Sequence, residues 1–278
     1  MTTLRWLFGL HRSTRSRMGQ QLKTSLVGSG SQKIVFLHGL LGRGRNFTRI
    51  AKELGEDTQT LLIDLPNHGA SFWTESFDYR AMADLAAEAV ADYAQGQPVV
   101  LIGHSMGGKI AMLLALYHPQ LVSRLVVIDI APGLSKGSFE VLMDGMLSLP
   151  IETYSRRSQA DVDLAAAVPN AGTRAFLLQN LVLSRGPENP AHWEPNLPML
   201  RRDVDAIMGW PEGVEASFDQ PVLWLVGGDS PYVTEADLPV MKSLFPAVRK
   251  TVVKGTGHWV HVDKPEETIQ ILRAFLAG

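Results

Sequence analysis

Val99-Val100-Leu101-Ile102 runs directly into Gly103-His104-Ser105-Met106-Gly107-Gly108, and a helical stretch from Lys109 to Tyr117 follows without a spacer. A strand that becomes a helix over so few residues needs small side chains on both sides of the turn, and Gly103 and Gly107 provide them. A strand apolar on both faces must also be covered on both faces, so the segment demands a sheet sandwiched between helices. Ser105 then stands at the sharpest point of the reversal, beyond the carboxyl end of its strand.

The rest of the chain repeats the pattern. Ile34-Val35-Phe36-Leu37, Leu61-Leu62-Ile63, Leu125-Val126-Val127-Ile128 and Val222-Leu223-Trp224-Leu225-Val226 read as further buried strands, and Lys250 to Lys254 as a weaker one. Tyr79 to Ala94, with apolar or alanine residues at 82, 85, 86, 89, 90 and 93, is predicted to be a helix. Alternation of this kind specifies an α/β fold with a mostly parallel central sheet flanked by helices. In such sheets ligands sit beyond the carboxyl ends of the strands.

The alternation breaks once, between Ile130 and Val222. The interval 133–219 contains Pro150, Pro169, Pro187, Pro190, Pro195 and Pro198 among helical pieces such as Arg174 to Leu183. Structureless loops longer than about 15 residues are uncommon in compact domains, so a helical cap is expected at 133–219, inserted into a core formed by 21–132 and 220–278. Residues 1–20 form a basic tail: Arg5, Arg12, Arg15 and Arg17 cluster there, and no Asp or Glu occurs before Glu53. The tail is read as frayed, with an organelle transit peptide as the alternative, so the expected location is cytoplasmic or, on that alternative, an organelle matrix. Its apolar stretch Leu4 to Leu10 is interrupted by Arg5 and falls far short of the about 20 residues that span a bilayer. A net charge of −2 gives no general attraction to nucleic acid, which leaves a small molecule as the expected partner. The absence of cysteine removes disulfides, thiolate nucleophiles and thiolate-bound metals.

A serine hydroxyl at neutral pH needs a base, and His258 in Gly255-Thr256-Gly257-His258-Trp259 is the candidate, with His261 the alternative. The amide of Met106, at the start of the helix behind Ser105, can donate to an oxyanion. The amide of Leu40, in His38-Gly39-Leu40-Leu41-Gly42 at the end of another strand, is the natural second donor. His38, Asn67 and His68 are read as structural. Gly103 to Lys109 also satisfies the start of a phosphate-binding loop, but Ile110 stands where Mg²⁺ coordination needs a hydroxyl. The acid that orients the histidine has two candidates: Asp129, at the end of Val126-Val127-Ile128, and Asp229, after Val222 to Val226 and Gly227-Gly228.

These motifs, together with Asn67-His68-Gly69, Asp129-Ile130-Ala131-Pro132, Ser230-Pro231-Tyr232-Val233 and Gly257-His258-Trp259-Val260-His261, resemble the YbfF-like esterases and their mitochondrial abhydrolase-domain relatives, within the α/β-hydrolase superfamily. The likeness runs from about Leu22 to the C-terminus and is weakest in the cap. It implies hydrolysis of small acyl esters or thioesters through an acyl-enzyme, with no metal or organic cofactor. Family members often carry Asn at the position of Asp229 and use the aspartate of Asp-Ile-Ala-Pro. This chain departs by offering both, and the resemblance favours Asp129. The same constellation also serves cofactor-free haloperoxidases and C–C bond hydrolases, and a ligand-binding or scaffold protein on the fold is the remaining alternative.

Overall fold

The computed structural model describes residues 21–137 and 139–278, so the basic tail lies outside the described residues. Nine strands occur among them: β1 (Thr24–Gly28), β2 (Gln32–Leu37), β3 (Thr58–Ile63), β4 (Val99–His104), β5 (Val122–Ile128), β6 (Leu181–Val182), β7 (His192–Trp193), β8 (Val222–Gly227) and β9 (Val248–Val253). Seven form one sheet in the order β1-β3-β2-β4-β5-β8-β9, parallel except for β1, which runs antiparallel to β3. The helices are α1 (Thr48–Glu53), α2 (Tyr79–Ala94), α3 (Met106–Tyr117), α4 (Phe139–Leu147), α5 (Arg157–Leu164), α6 (Ala171–Leu178), α7 (Leu197–Arg202), α8 (Val204–Met208), α9 (Leu238–Leu244), α10 (Val260–Asp263) and α11 (Pro265–Ala277).

Strand side chains point alternately to the two faces of a sheet, and the core divides accordingly. Val35, Leu37, Leu101, Leu125, Val127 and Trp224 pack with α2, α3 and α9. Their neighbours Ile34, Phe36, Val100, Ile102, Val126 and Leu225 pack with α1 and α11 on the other side. Every residue of α3 from Met106 to Leu116 is buried. That is why the helix shows no polar face: it is covered all round. α2 matches its expected limits, opened by Asp78, whose side chain accepts from Ala81 N–H, and closed by Gln95 in the left-handed region at φ 51.

The excursion between β5 and β8 holds α4 to α8, and its buried residues belong to the same cluster as the face of the sheet that α2 and α3 cover. The cap therefore shares a core with the sheet. It is not purely helical: Leu181–Val182 and His192–Trp193 pair as an antiparallel ladder. The helix expected from Arg174 to Leu183 is displaced. It starts at Ala171, where Asn170 accepts from Thr173 N–H, and ends at Leu178 because Leu181 and Val182 are taken by the ladder. No helix among the described residues is long and apolar enough to cross a membrane.

Candidate active site

Ser105 occupies the turn between β4 and α3 with φ 52 and ψ −123, outside the regions open to most side chains. Such a residue costs of order 1–3 kcal/mol and persists only where its surroundings dictate it. Here the dictation is steric. A Cβ on Gly103 would lie 2.3 Å from Gly107 O, and one on Gly107 would lie 2.4 Å from the carbonyl oxygens of Leu37 and His38. Only glycine lets the backbone close this tightly.

His258 Nε2 lies 2.9 Å from Ser105 Oγ, and His258 Nδ1 lies 2.8 Å from Asp129 Oδ2. A carboxylate can only accept, so Nδ1 carries the proton and Nε2 is left to accept from the serine hydroxyl. All three residues are buried. Asp129 is fixed in turn by its own left-handed backbone (φ 52), by Gly227 N–H donating to Oδ1 at 2.9 Å, and by the Ser230 hydroxyl donating to Oδ2. The Tyr232 ring stacks on the His258 imidazole, with centroids 3.9 Å apart.

The second aspartate does not bond the imidazole. Asp229 is exposed, its N–H donates to Thr256 O, and its carboxylate takes no hydrogen bond from His258. His261, the alternative base, does not reach Ser105; it stacks on Phe47 (4.8 Å) and meets His104 edge-on (4.6 Å). Near His258 the tightest backbone approach is at Gly227, where a Cβ would lie 2.2 Å from Gly257 O.

Leu40 and Met106 both line the space beside Ser105. Neither N–H donates to a group among the described residues, as Met106 opens α3 and Leu40 lies in a loop. His38 is structural, as expected: it accepts from Leu65 N–H at Nε2 (2.9 Å), so Nδ1 donates to Gly39 O (2.9 Å). Asn67 accepts from Thr74 N–H (2.7 Å) and its carbonyl takes Asn196 N–H (3.0 Å), tying its turn to the cap. Lys109 holds no phosphate loop. Its fully buried ammonium donates to the carbonyls of Met208 (2.8 Å) and Gly209 (2.6 Å) at the end of α8, and burial pulls its pKa down to about 7. Lys109 anchors the end of α8; Ser230 and Tyr232, which support Asp129 and His258, stand together in Ser230-Pro231-Tyr232-Val233, the local signal for them in the sequence.

Around this chain of bonds the histidines are neutral. Burial lowers the pKa of His38 to about 4 and those of His68 and His261 to about 3, and it holds His104 well below the usual range. The unfolded chain takes up these protons near pH 6.5, whereas the folded chain resists them. The stability they contribute is complete above pH 6.5 and is lost as pH falls towards the folded values, at up to about 1.4 kcal/mol per pH unit for each histidine. Urea unfolding should therefore show stability dropping by several kcal/mol between pH 6.5 and 5, and a flat profile would contradict the burial. His261→Phe keeps a ring on Phe47 and removes a buried nitrogen, Nδ1, that has no partner among the described residues. It should make the acid loss shallower by one histidine's share.

Residues 33–265 match the family model described as alpha/beta hydrolase fold. The chain belongs to that family. This α/β hydrolase is 40% identical over 253 residues to the sn-1-specific diacylglycerol lipase ABHD11 of Mus musculus, covering 88% of this chain and 80% of the relative. It is 33% identical over 248 residues to Esterase YbfF of Escherichia coli (strain K12), covering 87% and 92%. Among solved structures, a marine microorganism esterase superposes with a TM-score of 0.86 at 31% identity, over 92% of this chain and all of the other. The chain is a hydrolase of the esterase or lipase type.

Proposed function

We propose that this α/β hydrolase cleaves carboxylic esters or thioesters through an acyl-enzyme on Ser105. The observation that carries the reading is the buried chain of bonds from Asp129 Oδ2 through His258 to Ser105 Oγ. His258 Nε2 takes the hydroxyl proton as Ser105 Oγ adds to the acyl carbonyl carbon. The oxygen that becomes negative meets the N–H groups of Leu40 and Met106, each worth about 3 kcal/mol to the transition state if it behaves like measured donors. The tetrahedral intermediate collapses as His258 returns the proton to the departing alkoxide or thiolate. Water then repeats the sequence on the acyl-enzyme, and the carboxylic acid leaves. Asp129 holds the imidazole in the tautomer that can accept from serine.

Phe139, Phe176 and Trp259 line the space at Ser105, which favours an apolar acyl group. Diacylglycerols, which the name of the mouse relative specifies, therefore belong beside simple esters and acyl-thioesters in a screen of graded chain length. A fluorophosphonate probe should attach to one residue, Ser105, as read by mass spectrometry of the labelled peptide. A nitrophenyl ester should give a burst of nitrophenol together with a transient mass increase equal to the acyl group. A correctly folded protein that neither labels nor turns over any ester or thioester would instead be a binding protein on this fold.

A further inference from the structure

The Leu40 amide is aimed by the turn Gly39–Gly42. Gly42 N–H donates to Gly39 O at 2.9 Å, and His38 Nδ1 donates to the same oxygen at 2.9 Å. The chain has no cis peptide bond among its described residues, and in a trans peptide the C=O of Gly39 and the N–H of Leu40 point in opposite directions. Holding the Gly39 carbonyl on the protein side therefore points the Leu40 N–H towards Ser105, whose Cβ would lie 3.2 Å from a Cβ on Gly39.

The weak point of this turn is its third position. Leu41 has φ 60, where glycine or asparagine is usual, so the turn is not the conformation its own sequence prefers. The strained residue is clamped from the cap. Asn180, buried between α6 and β6, donates from Nδ2 to Leu41 O at 2.7 Å. Asn180 is itself seated by its N–H to Leu177 O (3.1 Å) and by Glu194 N–H to its carbonyl (3.0 Å). A second clamp lies two residues along the chain. The buried Arg43 guanidinium bonds Glu194 Oε2 and the carbonyl of Gln179, while Asn46 Nδ2 donates to Gln179 Oε1 at 2.8 Å. The cap segment from Gln179 to Glu194 thus grips the loop from both sides of Gly42.

We propose that Asn180 is a positioning residue for the Leu40 amide, so that a seated cap is a condition for stabilising the oxyanion as well as for enclosing the substrate. The proposal rests on the reading of Leu40 N–H as an oxyanion donor. Energy put into seating the cap, for instance by a substrate that fills it, would be delivered to the transition state through Leu41. A merely structural Asn180 would affect folding and leave chemistry untouched.

The test uses Asn180→Ala and a peptidyl or alkyl trifluoromethyl ketone, which adds Ser105 Oγ to its carbonyl and leaves an oxyanion in the donor site. In Asn180→Ala, kcat should fall about tenfold for acetyl and octanoyl esters alike, with KM and the affinity for the alcohol product within twofold. Ketone binding should weaken by the same factor as kcat. The ¹³C signal of the ketone adduct should titrate at a higher pH than in the wild type, because the oxyanion has lost a well-aimed donor. An unchanged kcat, or a loss that appears in KM and grows with acyl length, overturns the proposal. A wild-type adduct that never ionises below about pH 10 overturns the oxyanion reading itself, whereas an ionised adduct equal in both proteins overturns only the role of Asn180. If Asn180→Ala does not fold, Glu194→Gln decides. It loosens the Arg43 clamp without removing a side chain and should give about a threefold loss with the same proportionality between kcat and ketone affinity; no loss overturns the proposal.

Discussion

Replacing Ser105 by alanine is expected to lower kcat on a short nitrophenyl ester by about four to six orders of magnitude while leaving the protein folded. The size follows from the proposed role: if Ser105 is the nucleophile, no acyl-enzyme forms without it, and what remains is the modest acceleration from bound donors acting on water. Folding should be nearly unaffected, because alanine keeps the Cβ and therefore the same strained backbone at φ 52. The lost contact is one hydrogen bond, about 1 kcal/mol, from Oγ to His258 Nε2. Initial rates, an intact-mass spectrum free of acyl adduct, and a melting temperature within a few degrees of the wild type would together make the case. Turnover within tenfold of the wild type in a folded Ser105→Ala protein would move the chemistry to another group.

The parts of the fold that sequence makes legible are those where one physical demand dominates. β2, β4, β5 and β8 must be apolar on both faces, so they stand out as β-branched runs. β1 is invisible by the same criterion: it is an edge strand with Leu26 58% exposed, and Thr24-Ser25-Leu26-Val27-Gly28 has no side that must be apolar throughout. The cap is harder still. Its helices run between five and nine residues and are buried against a core that the sheet supplies, so their apolar positions follow tertiary contact more than helical period. α6 begins at Ala171, where Asn170 caps it, three residues before Arg174, and the ladder at Leu181 exists only through its partner strand His192–Trp193.

The site divides in the same way. Ser105 and His258 are legible because each lies in a glycine-marked turn directly after a strand, a local arrangement with few other uses. Asn180 is not, since the carbonyl it holds is 139 residues away and nothing in its own neighbourhood marks it. Asp129 and Asp229 both follow strands, and local sequence treats them alike. What separates them is tertiary: Asp129 turns through φ 52 into the buried space between β5 and β8, and finds three donors there.

That separation predicts unequal responses to the same substitution. Asp129→Asn should lower kcat by about 10⁴-fold, and Asp229→Asn should change it by less than about twofold. Gly227 N–H can only donate, so an asparagine at 129 must turn its amide oxygen towards Gly227 and its NH₂ towards His258 and Ser230. The Ser230 hydroxyl can rotate to accept. The imidazole can accept only by moving its proton from Nδ1 to Nε2, which places a hydrogen where the proposed base has to receive one from Ser105. Asp229, exposed and without a hydrogen bond to the imidazole, has no such bond to invert. Rates on one ester for the two variants, at matched stability, decide the matter; equal and small losses would mean that neither carboxylate sets the tautomer of His258, and the imidazole would then have to be held by its stack on Tyr232 alone.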